Sequence, residues 1–154
     1  MQKITTFLTF NDQAEAAAEL YTRVFKDSKI NHVTRYTEGT HMPAGSAMTV
    51  EFELAGQKYV ALNGGPHFRF TEGISLWVAC ADQAEIDYFW EQLTAGGGEP
   101  GQCGWLKDRF GVSWQITPAN MGQLLTSPDP ARARRKMAAM MQMHKIDMAA
   151  LEQA

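Results

Sequence analysis

The sequence has 154 residues, 45% hydrophobic and 20% charged, so it is long enough for one compact domain with its own core. Fourteen Lys and Arg against 17 Asp and Glu give a net charge of −3, which leaves no global electrostatic reason to bind nucleic acid or an anionic membrane. Two cysteines do not make a disulfide framework, no apolar run approaches the roughly 20 residues that span a bilayer, and no targeting segment is visible at the N-terminus, so we expect a cytoplasmic protein.

The first half of the chain predicts a strand, a helix and three further strands. Side chains alternate between two faces over Ile4–Phe10, which is typical of a strand. Asp12 is a candidate cap for the helix that follows, and its apolar positions from Ala14 to Phe25 recur at helical spacing. Three more strands are predicted at residues 30–36, 48–54 and 58–63.

The second half repeats this order. The tetrapeptide Asp-Gln-Ala-Glu occurs at residues 12–15 and again at 82–85, each time after an apolar strand and before a helical pattern. A strand is predicted at 74–80, a helix at 82–95 that ends at three consecutive glycines, and a hairpin formed by 103–107 and 112–117. The segment after Pro118 has a helical pattern.

These elements predict an α+β protein in which two βαβββ modules form curved mixed sheets around a cup. Module one covers residues 1–65, module two 72–118, and a helical tail 119–154, all within a single domain. If helices cover one face of each sheet, the other face lines the cup, which is a natural small-molecule site. By alternation, the cup-facing residues are Thr5, Phe7, Thr9, Tyr59, Ala61, Asn63, Ser75, Trp77, Ala79, Ser113 and Gln115.

Six residues are candidates for ligand binding. Trp77 can stack on a planar ligand or simply pack in a core, and Phe7 and Tyr59 would add further rings to the cup. The amides of Asn63 and Gln115 can orient a carbonyl or hydroxyl group, or can satisfy backbone groups near strand ends. His67, in the loop between the halves, is either a general acid or base or a solvated side chain.

Four other features have competing interpretations. Glu51 and Glu53 either bring two carboxylates into the cup or are solvated on an edge strand. Cys80 and Cys103 are interpreted as buried, inert thiols, and Trp114 as a core residue. The methionine-rich tail is expected to cover the cup of its own chain or to pack on a partner subunit.

Three segments carry a resemblance to a known family. They are GISLWVACADQAEIDYFWEQL, CGWLKDRFGVSWQITP and KIDMAALEQA, and they resemble the PhnB-like branch of the vicinal-oxygen-chelate superfamily, often labelled 3-demethylubiquinone-9 3-methyltransferase-like. The superfamily includes glyoxalase I, extradiol dioxygenases and bleomycin-resistance proteins. The resemblance implies the duplicated fold, a homodimer, and metal ligands of the His and Glu type at positions that correspond to about Thr5, Asn63, Ser75 and Gln115.

None of these four positions holds a residue type that binds zinc, nickel or iron well. We therefore expect no metal cofactor. The protein would bind a small molecule, or act on one, without a metal, and the ligand could be planar or aromatic. The alternatives are a metal-dependent glyoxalase or dioxygenase, and a methyltransferase as the family label suggests. Against the latter, the triple glycine Gly96–Gly98 follows a helix rather than a strand, whereas a nucleotide-binding loop follows a strand.

Overall fold

Each half of the chain builds a four-stranded mixed sheet with the same strand order. A computed structural model describes residues 1–154. The chain forms two compact units, Met1–Phe70 and Thr71–Ala154. The sheet orders are β1-β4-β3-β2 and β5-β8-β7-β6, and in each unit the first and last strands of the module pair in parallel. The predicted α+β fold with duplicated βαβββ modules is confirmed. No helix is both long enough and apolar enough to cross a membrane.

The first unit packs its single helix on one face of the sheet. Its elements are β1 (Thr6–Phe10), α1 (Ala14–Val24), β2 (Lys29–Arg35), β3 (Ala47–Leu54) and β4 (Gln57–Asn63). The buried side of α1 includes Ala17 and Tyr21, and the Tyr21 ring lies 6.2 Å from that of Phe52 on β3. Leu8 and Ala61 are register partners on the same buried side. This apolar layer is the core of the unit, because its side chains are removed from water.

The second unit adds three helices after its sheet. Its elements are β5 (Leu76–Cys80), α2 (Gln83–Thr94), β6 (Glu99–Pro100), β7 (Trp105–Lys107), β8 (Ser113–Pro118), α3 (Met121–Leu125), α4 (Pro130–Met141) and α5 (Met148–Gln153). Trp114 and Cys80 are 2% and 1% exposed, which confirms both as core residues. Cys103 is only partly buried, so its interpretation as a buried thiol is wrong, because it lies in the loop before β7 and not on the strand. The two-residue strand β6 is not visible in the sequence pattern, because two residues are too few to show an alternation.

The two equivalent helices begin differently. The Asp82 carboxylate accepts a hydrogen bond from Glu85 N at 2.9 Å and caps α2. The prediction that Asp12 caps α1 is wrong, because α1 begins at Ala14 after Gln13 and no side chain at that N-cap makes a capping bond. The side chain that binds the first helical N–H group comes from β4 instead: Asn63 Oδ1 accepts from Ala14 N at 2.8 Å.

The tail is anchored to its own unit by backbone hydrogen bonds. Cys103 N donates to Met143 O and Gly104 N donates to His144 O, each at 2.8 Å. Further along, Met148 N donates to the Gln83 side chain at 2.9 Å. The side chains of Ile146 and Leu151 are fully buried, so apolar packing accompanies these bonds.

Candidate functional site

The face of the first sheet that lies opposite α1 is the candidate site, and we call it the open face of unit one. In the parallel register Phe7 pairs with Val60, and in the antiparallel register Val60 pairs with Glu51. Register partners on neighbouring strands point to the same side, so these three residues share the open face. Two positions further along, Lys58 and Glu53 pair on that face as well.

The face predicted for β4 is wrong by one residue. The alternation places Tyr59, Ala61 and Asn63 in the cup, but the register puts them on the helix side, and Lys58 and Val60 take the open face. Because side chains alternate with a period of two, an error of one residue reverses every side chain of a strand. Alternation within β4 alone does not reveal which set faces the helix.

Asn63 shows the consequence of this arrangement. It is 3% exposed, and both ends of its amide are used: Oδ1 accepts from Ala14 N at 2.8 Å and Nδ2 donates to Ala47 O at 3.0 Å. A buried amide needs such partners, since an unsatisfied polar group is costly to bury. The side chain therefore joins α1 and β3 to β4.

The open face of unit one holds a concavity of about 640 Å³. Its lining includes Thr5, Phe7, Asn31, Glu51, Glu53 and Lys58. This volume is within the range of small-molecule sites in proteins. Sequence reasoning missed Asn31 and Lys58. Asn31 occupies an irregularity in the pairing of β2 with β3, between Ile30 and His32, and such a bulge leaves no clear signal in the alternation.

An exposed aromatic ring lies in this concavity. Phe7 is 56% exposed although its strand neighbours Leu8 and Phe10 are 5% and 3% exposed. Tyr59 borders the concavity as well, but its side chain is on the helix side, where its ring stacks on Phe52 at a centroid distance of 5.5 Å. Burial raises the pKa of the Tyr59 phenol above its ordinary value.

Two carboxylates enter the concavity from β3. This strand lies between β4 and β2, so Glu51 and Glu53 are not on an edge strand. Glu53 forms an ion pair with Lys29 at 3.7 Å, and its cross-strand neighbour on the open face is Lys58. Glu51 is exposed and has Val60 as its neighbour on β4. A ligand would thus meet a ring, amide and hydroxyl groups, and charges of both signs.

The open face of unit two presents an aromatic ring, an amide and charged groups, since Lys107 pairs with Ser113 on this side of the sheet. Trp77 pairs with Gln115 in the parallel register, so both lie on one face, and Trp77 is 54% exposed. Gln115 Nε2 donates to Ser75 Oγ at 2.8 Å. The hydroxyls of Ser113 and Thr117, which flank Gln115 on the same side of β8, are buried without hydrogen-bond partners. Gln115 thus has a tryptophan on either side, Trp77 on β5, which is 54% exposed, and Trp105 on β7, which is partly buried.

His67 lies apart from these groups. It is exposed in the loop after β4 and does not line the concavity of unit one. A general acid or base needs neighbouring groups that orient its ring, and the exposed loop offers His67 no such setting.

The residues present do not fit the metal site that the superfamily resemblance implies. Val60 pairs with Phe7 as Gln115 pairs with Trp77, so Val60, and not Asn63, is the counterpart of Gln115. The four positions equivalent to the metal ligands are therefore Thr5, Val60, Ser75 and Gln115. None is an imidazole, thiolate or carboxylate, and no group of three or more His, Cys, Asp or Glu residues is arranged to hold a metal ion. These four positions therefore support no catalytic step through a metal.

The triple glycine has the structural role that the sequence predicts. Helix α2 ends at Thr94, Gly98 N donates to Thr94 O at 2.9 Å, and β6 follows at Glu99. Gly96 and Gly97 both have positive φ, at 72° and 111°, which glycine adopts at little cost. The segment closes a helix and is not a loop that opens one.

The repeated sheet order and the exposed faces define the class of protein: a duplicated βαβββ protein of the glyoxalase and vicinal-oxygen-chelate type. Residues 2–117 match the family model described as 3-demethylubiquinone-9 3-methyltransferase, and the chain belongs to this family. The resemblance to the PhnB-like branch is confirmed.

Two solved structures support the assignment to different degrees. A putative 3-demethylubiquinone-9 3-methyltransferase, a PhnB protein from Bacillus cereus, is 35% identical with a TM-score of 0.66, and the alignment covers 77% of this chain and 100% of that one. A protein from Pseudomonas aeruginosa is 19% identical with a TM-score of 0.60, covering 74% of this chain and 95% of that one, and shows the fold alone. A search of curated proteins gives no match.

Proposed function

We propose that this PhnB-like protein binds a small molecule with a planar or aromatic part on its open sheet faces, and that it does so without a metal ion. The observation that carries the proposal is Phe7, a ring that is more than half exposed in a concavity of about 640 Å³. Exposed aromatic rings inside concave sites are common anchors for ligands.

The polar lining suggests how such a ligand would be oriented. Thr5 and Asn31 can donate and accept hydrogen bonds, Glu51 can accept them, and Lys58 can donate. Stacking on Phe7 would supply affinity without fixing the orientation of the ligand, and hydrogen bonds to the polar groups would fix that orientation. The same division would hold on unit two, where Trp77 lies beside Gln115.

A thermal-shift screen of aromatic and heteroaromatic compounds tests the proposal. We expect a subset of compounds to raise the melting temperature of the protein, and Phe7→Ala to weaken binding of those that occupy unit one by about tenfold, equivalent to about 1.4 kcal/mol. Phe68→Ala is the matched control, because Phe68 is 54% exposed in the same unit and does not line the concavity. Equal losses in both variants, or no shift across the library, would count against the proposal.

The ligand-dependent fluorescence of Trp77 gives an independent readout. Compounds that bind unit two should quench the protein's tryptophan emission, and Trp77→Phe should remove that quenching because the ring at residue 77 is the exposed partner of Gln115. Quenching that persists in the variant would place the ligand elsewhere.

Methyl transfer is the second candidate function, because the matching family and the Bacillus cereus protein are both described as methyltransferases. The only triple glycine closes a helix, so no glycine-rich loop of the doubly wound type is present to hold S-adenosylmethionine. Calorimetry with S-adenosylmethionine separates the candidates: we expect no binding heat, and saturable binding would favour the methyltransferase.

We further propose a cytoplasmic homodimer, as the family resemblance implies. Ile4 and Ile74, at equivalent positions of the two units, are exposed apolar side chains outside the proposed ligand contacts, and association would cover them. Sedimentation equilibrium should give twice the chain mass of 17.2 kDa, and a monomer at all accessible concentrations would contradict this.

A further inference from the structure

The concavity of unit one contains two charged side chains that are not paired with each other or with any other charge. Lys29 pairs with Glu53 across β2 and β3, and these two side chains form an ion pair at 3.7 Å. Neither the Glu51 carboxylate nor the Lys58 ammonium lies within ion-pair distance of an opposite charge. Both line the concavity. One negative and one positive group are therefore available to a ligand.

The pairing register places these two groups and Phe7 around one apolar residue. Val60 pairs with Phe7 on one side and with Glu51 on the other, and Lys58 lies two residues before Val60 on β4. All four residues line the concavity. Direct neighbours on adjacent strands lie about 5 Å apart, and residues i and i+2 of one strand about 7 Å apart. The ring, the carboxylate and the ammonium thus belong to three neighbours of a single apolar residue.

We propose that this concavity binds an aromatic α-amino acid. The ring of the ligand lies against Phe7 and over Val60, its ammonium group contacts Glu51, and its carboxylate contacts Lys58. The inference rests on the proposed function, because it specifies the class of ligand that the open face of unit one takes.

The separation of the two charges suits the α-carbon of an amino acid. Glu51 and Lys58 are diagonal neighbours on β3 and β4, because Glu51 pairs with Val60 and Lys58 pairs with Glu53. Diagonal neighbours lie about 7–8 Å apart, so both side chains can reach one small group held between them, each from its own side. In an α-amino acid the ammonium and the carboxylate are bonded to the same carbon, so a single small group carries both charges.

The charge balance of the concavity favours a ligand with both charges. A ligand that covers Glu51 and Lys58 removes water from them, and a charge that loses water without gaining a partner is costly. A neutral aromatic compound leaves both charges in this condition, and a singly charged one leaves one of them. A zwitterion gives each charge a partner, and hydrogen bonds between ionised groups are stronger than neutral ones.

Calorimetric titration of the full-length protein with four related compounds tests the inference. L-Phenylalanine carries both charges, phenethylamine lacks the carboxylate, hydrocinnamate lacks the ammonium, and hydrocinnamyl alcohol lacks both. We expect L-phenylalanine to bind about tenfold more tightly than either singly charged compound, and more tightly still than the alcohol.

Two substitutions assign each charge of the ligand to its partner. Glu51→Gln should weaken binding of L-phenylalanine and phenethylamine by about tenfold and should not weaken binding of hydrocinnamate. Lys58→Gln should weaken binding of L-phenylalanine and hydrocinnamate by about the same factor and should not weaken binding of phenethylamine. Glu38→Gln and Lys26→Gln are matched controls, because both residues are exposed in unit one and neither lines the concavity. Both controls should bind all four compounds as the unchanged protein does, and circular dichroism verifies that each variant is folded.

The outcomes separate this inference from the proposed function. If the alcohol binds as tightly as L-phenylalanine and loses affinity in Phe7→Ala, the face takes aromatic compounds but the assignment of an amino acid is wrong. Equal losses for all four compounds in Glu51→Gln or in Lys58→Gln, or losses of the same size in the controls, would also overturn the inference. Absence of binding by all four compounds would overturn it too, whereas the proposed function is contradicted only if the wider aromatic library gives no binding either.

Discussion

The two units use the same tetrapeptide to start equivalent helices, yet they satisfy the helix ends differently. In unit two Asp82 caps α2 from within the tetrapeptide. In unit one Asp12 does not cap, and the amide of Asn63 reaches across from the end of β4 to the first N–H group of α1. The equivalent of Asn63 in unit two is Pro118: Asn63 pairs with the last residue of β1, and Pro118 pairs with the last residue of β5. A proline side chain has no polar group, so unit two depends on its local cap.

This difference shows that a helix N-terminus can be capped either by a residue next to it in the chain or by a side chain from a distant strand. A local cap is visible in the sequence because its residues are close together in the chain. A cap supplied by a strand about 50 residues away has no such signature, and it ties the helix to the sheet as well. Unit one therefore depends on one buried amide where unit two depends on an exposed carboxylate.

Removing the long-range cap should have the largest effect on stability. Asn63→Ala leaves Ala14 N and Ala47 O without their partners in a buried setting, so we expect the free energy of unfolding to fall by about 2–4 kcal/mol. Urea denaturation measures this change. Gln13→Ala is the control, since Gln13 occupies the N-cap position without a side-chain bond, and it should change stability by less than about 0.5 kcal/mol. Similar losses for both substitutions would refute the assigned role of Asn63.

The local cap should have a smaller effect. Asp82→Ala removes the bond to Glu85 N, and we expect a loss of about 1 kcal/mol, whereas Asp12→Ala should cost about a third of that or less because Asp12 caps nothing. Parallel urea denaturation of the two variants is the measurement. Equal costs at residues 12 and 82 would mean that the two helix starts are alike after all.

A smaller change in stability is expected from pH, because the two units differ at the last residue of their first strand: β1 ends at Phe10 and β5 ends at the thiol Cys80. Burial raises the pKa of the Cys80 thiol to about 12, with smaller contributions from the Glu85 and Asp82 carboxylates. The folded protein therefore keeps the thiol proton where the unfolded chain begins to lose it, near its ordinary pKa of 9.0. Stability contributed by the thiol is complete below that pH and is lost as the pH rises toward the folded value.

Between about pH 8 and about pH 9.5 this loss should amount to about 0.8 kcal/mol. Denaturation of the unchanged protein and of Cys80→Ser at both pH values isolates it, because serine does not titrate in this range and other groups contribute equally to both proteins. If the two stability curves run parallel, the Cys80 thiol titrates alike in the folded and unfolded states.

Much of the fold could be predicted because its signals are local and repeated. The alternation of β1, β3 and β5 and the two copies of Asp-Gln-Ala-Glu are enough to predict the modules. The face of β4 could not be predicted, because each of its faces mixes polar and apolar residues and only pairing with β1 decides between them. Of the polar lining of the concavity, the sequence predicts Glu51 and Glu53 as one of two alternatives. The position of Asn31 in this lining could not be predicted, because it results from a bulge in β2.

Calorimetry before and after metal removal shows whether the protein binds its ligand without a metal ion. A compound found in the thermal-shift screen is titrated calorimetrically into protein dialysed against a chelator, and again after addition of zinc or nickel. We expect one dissociation constant under all three conditions, because Thr5, Val60, Ser75 and Gln115 offer no ligand of the imidazole, thiolate or carboxylate type. Binding that disappears after chelation and returns with a divalent metal would contradict it.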